Sequence, residues 1–295
     1  MLVLAILRVL LLASVSASAI HSVAGNLTTA DYEWPSQYVQ TNQASIRVIV
    51  QGAGPAIVIL PSYGRDGGDD YNGFAAALVS AGYKVLRPQP RGIFGSTGPM
   101  TNVTTDDLVA DVVSVIDTLA GGRAIVMGHA YGTSLTKLIA LNYPSKVPAI
   151  ILAAPGSQNI SANISNLPLI AGNLSLPVSQ RLAALQAGFF APGHDAHVWL
   201  AGWYPATLAM QQAALQLVAS SPTPAAGSPT TQVLEIIAAY DPFLPPDQWN
   251  TTTDLYPDRV VSVVIPDASH ALFPENLPAI VSAVLPFLKQ QSTRL

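Results

Sequence analysis

The 295 residues carry a formal net charge of −4; 50% are apolar and only 10% are charged. That balance supports a sizeable core, and with no run of Lys or Arg it argues against nucleic acid and acidic membrane surfaces as partners. There are no cysteines, which removes disulfides and thiolate chemistry and leaves stability to the core alone.

The chain opens on MLVLAILRVLLLASVSASA, an apolar run followed by small residues ending Ala17-Ser18-Ala19. This is the small-x-small pattern of a secretory cleavage site, so residues 1–19 read as a signal peptide cut before Ile20. The run is only about 14 residues, short of the roughly 20 that a spanning helix needs, so no stable membrane association is expected once it is removed. Asn-x-Ser/Thr sequons at Asn26, Asn102, Asn159, Asn163, Asn173 and Asn250 agree with it and favour a glycosylated, extracellular protein.

After the leader, SIRVIVQG alternates as a half-exposed strand does, and AIVIL at 56–60 is a continuous apolar run suited to a strand covered on both faces. DYNGFAAALVSAGY has helical spacing and ends at Gly82, and KVLRPQP is a short strand stopped by prolines. TTDDLVADVVSVIDTLAGG supplies a capped amphipathic helix with acids in its first turn and glycines past its end. AIVMGHAYGTSL, residues 124–135, then runs from a buried strand through glycines into a helix, and PAIILAAP is the next strand. Strand and helix alternating over short links predict right-handed crossovers and a doubly wound, mostly parallel sheet.

The alternation stops at residue 157. Residues 157–230 hold no recognisable buried strand but three sequons, helical stretches including SQRLAALQAGFF and PATLAMQQAALQLVA, and the link SSPTPAAGSPTT. They read as a helical cap inserted after the sixth strand, over the carboxyl edge of a core made of residues 20–156 and 231–295. VLEIIAAYD and VVSVVIPDASH resume the strands, and ENLPAIVSAVLPFLKQ closes the chain as an amphipathic helix.

Three features share one arrangement: Gly128-His129-Ala130-Tyr131-Gly132 between strand and helix, Asp241 directly after a late strand, and His270 after the last one. In these the chain resembles the α/β-hydrolase superfamily over essentially all of residues 35–290, whose order is nucleophile, acid, histidine. The resemblance implies a strained turn at Ala130, the nucleophile position, with glycines on either side because a side chain there would collide with the neighbouring strand and helix. It implies Asp241 as the acid that orients His270, with Asp267 a less well placed substitute. The oxyanion hole would come from the amides of Tyr131 and Tyr63. Here the chain departs from the family's His-Gly loop, reading Leu60-Pro61-Ser62-Tyr63-Gly64 with Ser62 in the glycine's place.

By the same resemblance His129 is packed and structural, and Arg91-Gly92 with Gly95-Ser96 buttresses the site. His194, His197 and Asp195 have the chemistry of metal ligands but sit in the cap between Gly193 and Trp199, and no metal or cofactor is expected. Phe189, Phe190, Trp199, Trp203 and Tyr204 line the cap's contact with the core or an apolar substrate pocket.

Ala130 leaves three accounts open. Its serine has been exchanged to trap a complex of an esterase; or catalysis was lost, leaving a ligand-binding protein; or His270 and Asp241 still act as a general-base dyad without a covalent intermediate. The third is the preferred reading: a hydrolase-like enzyme on a small apolar or carbonyl-bearing substrate, by non-covalent hydrolysis, lyase or cofactor-free chemistry.

Overall fold

A computed structural model describes residues 34–157, 159–218 and 226–291. The leader, its cleavage site and the Asn26 sequon lie outside them, as does part of the Ser, Pro and Ala-rich link. Of the chain's two units, Met1–Trp34 and Pro35–Leu295, the second carries every element named below.

Two antiparallel strands open it, β1 (Ser36–Gln40) and β2 (Ser45–Gln51). β3 (Ala56–Leu60), α1 (Asn72–Ser80), β4 (Lys84–Pro88), α2 (Thr105–Leu119), β5 (Ile125–His129), α3 (Tyr131–Asn142) and β6 (Ala149–Ala153) then alternate. Between β6 and the next strand come α4 (Ala162–Ser165), α5 (Leu167–Ala171), α6 (Val178–Gly188) and α7 (Pro205–Val218). β7 (Gln232–Ala238), α8 (Thr251–Leu255), β8 (Val260–Ile265) and α9 (Phe273–Gln291) finish the unit. The eight strands form one sheet in the order β1-β2-β4-β3-β5-β6-β7-β8, parallel from β4 to β8. Among the described residues no helix is long and apolar enough to cross a membrane.

The sheet is covered on both sides, which is why β3, β5 and β6 are unbroken buried runs rather than alternating ones. One face packs on α2, α3 and part of α7 through residues such as Val112, Ile116, Ile139 and Ala214. The other packs on α1 and α9 through Phe74, Leu78, Ile280 and Val284. α2 begins at a reciprocal cap: Thr104 Oγ1 accepts from the Asp107 amide at 3.2 Å while the Thr104 amide donates to Asp107 Oδ2 at 2.8 Å. In α9, Asn276 leaves helical geometry (φ −142°, ψ 61°), so the first turn, with Glu275, stands apart from the rest.

Beyond the sequence reading, the structure adds β1 and the short α4, α5 and α8. All five sequon asparagines among the described residues, Asn102, Asn159, Asn163, Asn173 and Asn250, are exposed.

Candidate active site

The carboxyl ends of β3, β5, β7 and β8 bring four loops together. After β5 the backbone turns so sharply that Ala130 takes φ 50°, ψ −111°, a left-handed conformation uncommon for a residue with a Cβ. The closeness of strand and helix makes this possible. A Cβ on Gly128 would lie 2.3 Å from the Gly132 carbonyl, and one on Gly132 would lie 2.6 Å from Leu60 O. The Ala130 amide donates to Ala153 O at 2.9 Å, fixing the turn against β6. α3 starts immediately afterwards, so the Tyr131 amide is a free helix-terminal donor.

His270 follows β8 and is buried, 6% exposed. Its Nδ1 lies 2.8 Å from Asp241 Oδ2, and Asp241 Oδ1 accepts from the Phe243 amide at 2.8 Å. The carboxylate therefore holds Nδ1–H, which leaves the Nε2 lone pair as the base. Phe243 stacks on the imidazole at 4.2 Å between centroids and Phe189 meets it edge-on at 5.6 Å. Asp267, the substitute acid, points elsewhere: its side chain is 71% exposed and pairs with His194 Nε2 at 3.2 Å.

The backbone of the His270 loop is tied on both sides of the histidine. Glu275 accepts three amides, Ala191 at 2.7 Å on Oε1, and Ser269 at 2.8 Å and Leu272 at 2.9 Å on Oε2. Burial nevertheless pushes the Glu275 carboxyl above its ordinary pKa, the three amides only opposing it. The Ala271 amide donates to Phe189 O at 2.7 Å.

The fourth loop follows β3. The Ser62 amide donates to Tyr71 Oη at 3.2 Å, Gly64 to Gln211 Oε1 at 2.7 Å and Arg65 to Ser62 O at 3.2 Å. Among the described residues the Tyr63 amide has no protein partner, and neither has that of Tyr131, whose ring lies 5.2 Å from the Tyr63 ring. Two unpaired amides are donors of the kind that an oxyanion needs.

His129 joins these loops. Its Nε2 is 2.8 Å from the His270 carbonyl, which can only accept, so Nε2 carries the proton and Nδ1 accepts from Tyr71 Oη–H at 2.8 Å. The path thus runs from Ser62 N–H through Tyr71 and His129 to His270 C=O. Burial, helped by the charge of His270, lowers the His129 pKa to about 3, so at neutral pH it serves as a neutral strut and not a base.

Aromatic residues between β6 and β7 pack against the His270 loop. Phe189, Phe190, Trp199 and Trp203 form an apolar cluster with Phe243 and Ala271. Tyr204 lies apart from them, its ring edge-on to Phe94 at 5.9 Å. Arg65, salt-bridged to Asp70 at 3.0 Å, lies 4.1 Å over the Trp199 ring, whose Nε1 donates to Asp70. Arg91 is buried and paired with Asp111 at 2.7 Å. His197 turns to Asp195 at 2.7 Å and His194 to Asp267, so they do not converge; no metal-ligand cluster exists among the described residues. Tyr71, Gln211 and Glu275 had no part in the sequence reading of the site, since each acts by holding backbone amides, a role that no side-chain spacing marks.

Comparison with known proteins agrees with this architecture. The model of the Alpha/beta hydrolase family matches residues 57–283. Epoxide hydrolase A of Mycobacterium tuberculosis is 31% identical over 115 residues, 38% of this chain and 36% of its own. The mitochondrial palmitoyl-protein thioesterase ABHD10 of Bos taurus is 28% identical over 125 residues, 41% of this chain and 40% of its own. The matched stretch is thus less than half of either relative. A thermophilic esterase from Thermogutta terrifontis superposes with a TM-score of 0.71 over 87% of this chain and 98% of that one, at 17% identity, a likeness of fold alone.

Proposed function

The chain belongs to the α/β-hydrolase family, and on that premise we propose that it is a hydrolase-like enzyme acting on a small apolar or carbonyl-bearing substrate without a serine nucleophile. The observation that carries this is the buried Asp241–His270 pair, 2.8 Å apart, beside the two unpaired amides of Tyr63 and Tyr131. His270 Nε2 takes a proton from water, the resulting hydroxide adds to the substrate carbonyl, and the amides hold the oxyanion. The imidazolium then returns its proton to the leaving group. Ala130 stands at the nucleophile position, where its methyl leaves room for that water.

The same reading makes residues 1–19 a signal peptide, residues 157–230 a cap over the core, and the product a secreted glycoprotein. The exposure of the five described sequon asparagines supports it. So does the enclosure of His270 by Phe189 from the cap and Phe243 from the core, an apolar setting suited to an uncharged substrate.

Restoring the hydroxyl tests the site. Ala130→Ser should hydrolyse p-nitrophenyl acetate well above the unaltered chain, since loss of such a serine costs on the order of 10⁶ in turnover where the remaining machinery is intact. His270→Ala in that background should abolish the gain. A folded Ala130→Ser protein with no hydrolysis overturns the assignment and leaves a hydrolase-fold ligand-binding protein as the reading.

A further inference from the structure

We propose that Gln211, on α7, is a positioning residue that sets the direction of the Tyr63 amide through Gly64, so that docking of α7 and assembly of the oxyanion hole are one event. This rests on the reading of Tyr63 as an oxyanion donor.

Hydrogen bonds pin that amide's own peptide plane and those on either side of it. The plane before it is held by Ser62 N–H on Tyr71 Oη. Its own plane is held at the Ser62 carbonyl, which accepts from Arg65 N–H at 3.2 Å. The plane after it is held by Gly64 N–H on Gln211 Oε1, at 2.7 Å the shortest of these bonds. The next is held by the Tyr204 amide on Gly64 O at 2.9 Å. Both polar backbone groups of Gly64 are thus taken by the segment that follows β6. Gly64 itself sits at φ 64°, where a Cβ would meet Leu208 of α7 at 2.8 Å. A glycine in that conformation gives the loop little stiffness of its own, so its partners decide where the plane points.

Leu60 and Pro61, which lead into the loop, border a cavity of about 50 Å³ also walled by Tyr131, Met210 and Gln211. The Tyr131 hydroxyl is buried without a partner among the described residues. Packing is therefore close where Leu208 meets Gly64 and looser at the strand end before it, and the buried Gln211 gives the Gly64 amide its acceptor. α7 is in turn moored by Thr207 Oγ1 on Arg91 O at 2.8 Å. A displacement of α7 would therefore release the Gly64 plane, and its docking would fix it.

Two measurements decide this. Amide hydrogen exchange on the otherwise unaltered chain should show residues 64 and 65 exchanging at least tenfold faster in Gln211→Leu, with β5 and α3 unchanged, and Gln211→Glu, which keeps an acceptor, should restore protection. Unchanged exchange in Gln211→Leu, or no recovery in Gln211→Glu, overturns the proposal. In the Ala130→Ser background, Gln211→Leu should lower kcat for p-nitrophenyl acetate by about 10- to 100-fold with KM within about twofold, the signature of a misplaced transition-state donor. Faster exchange with kcat unchanged also overturns it. If the Ala130→Ser protein is itself inactive, the hydrolytic reading falls, and the exchange result alone upholds or removes the tether.

Discussion

The His270 loop and the loop after β3 face each other across Ala130 but are mounted differently. The first rests mainly on carboxylates, Glu275 three to six residues on and Asp241 at the end of the neighbouring strand. The second rests on neutral groups, the Tyr71 hydroxyl nine positions from Ser62 and the Gln211 amide 147 positions from Gly64. A carboxylate accepting several amides is a stiff, charge-assisted anchor, whereas a single neutral amide on a glycine is one bond on a soft hinge. On the proposed reading the base is permanent equipment of the core, and the oxyanion donor depends on what lies above it.

Glu275 gives the largest expected break in that contrast. Glu275→Ala leaves the Ala191, Ser269 and Leu272 amides without their acceptor, for a loss of about 3 kcal/mol in urea unfolding. Glu275→Gln keeps one acceptor oxygen and should lie between the variant and the parent. Exchange should quicken at residues 269, 271 and 272 while 64 and 65 stay protected; equal loosening of both loops would show that they share one mounting.

His129 gives an intermediate effect with a definite sign. Its pKa falls from the ordinary value near 6.5 to about 3 on folding, so between those values the unfolded chain binds more protons and stability is lost as pH falls. From pH 7 to pH 5 this amounts to about 2 kcal/mol. Asp66, Glu235 and Glu275, all raised by burial, act in the opposite direction, so the wild type alone does not isolate the effect. His129→Phe does: less stable than the parent at pH 7, it should close that gap by about 2 kcal/mol at pH 5. A gap independent of pH would mean that His129 is not kept neutral by the fold.

The contrast also marks how much of the molecule was legible in its sequence. β3, β5 and β6 are buried on both faces and announce themselves as apolar runs; Gly128 and Gly132 mark the turn because no other residue clears the contacts at 2.3 and 2.6 Å. β1, SQYVQ, was not legible, since it is an edge strand with mostly exposed positions and too little apolar pattern. α4 and α8, of four and five residues, are shorter than two helical turns and cannot show a period. Tyr71 and Gln211 are invisible for another reason: a hydroxyl or amide that bonds a distant backbone group leaves no spacing signal in the chain. Glu275 did leave one, as an acid in the first turn of a helix, but that role is ordinary and conceals the three loop amides it gathers.

Tyr71 belongs to both mountings, which makes its removal the smallest and most discriminating perturbation. Tyr71→Phe keeps the ring against Phe273, 4.9 Å away, and deletes only the oxygen between Ser62 N–H and His129 Nδ1. The cost should be about 1 kcal/mol, a single buried hydrogen-bonding group in an otherwise unchanged core. The loops should not respond alike. The His270 side retains Asp241, Glu275, the Phe189 carbonyl and the His129 Nε2 bond, so its exchange should be unaffected. On the other side the Ser62 amide loses its acceptor while Gly64 keeps Gln211, and exchange should rise at residue 62 with little change at 64. Loosening of the His270 loop as well would mean that the Tyr71–His129 path carries position from one loop to the other, and that base and oxyanion donor are set together.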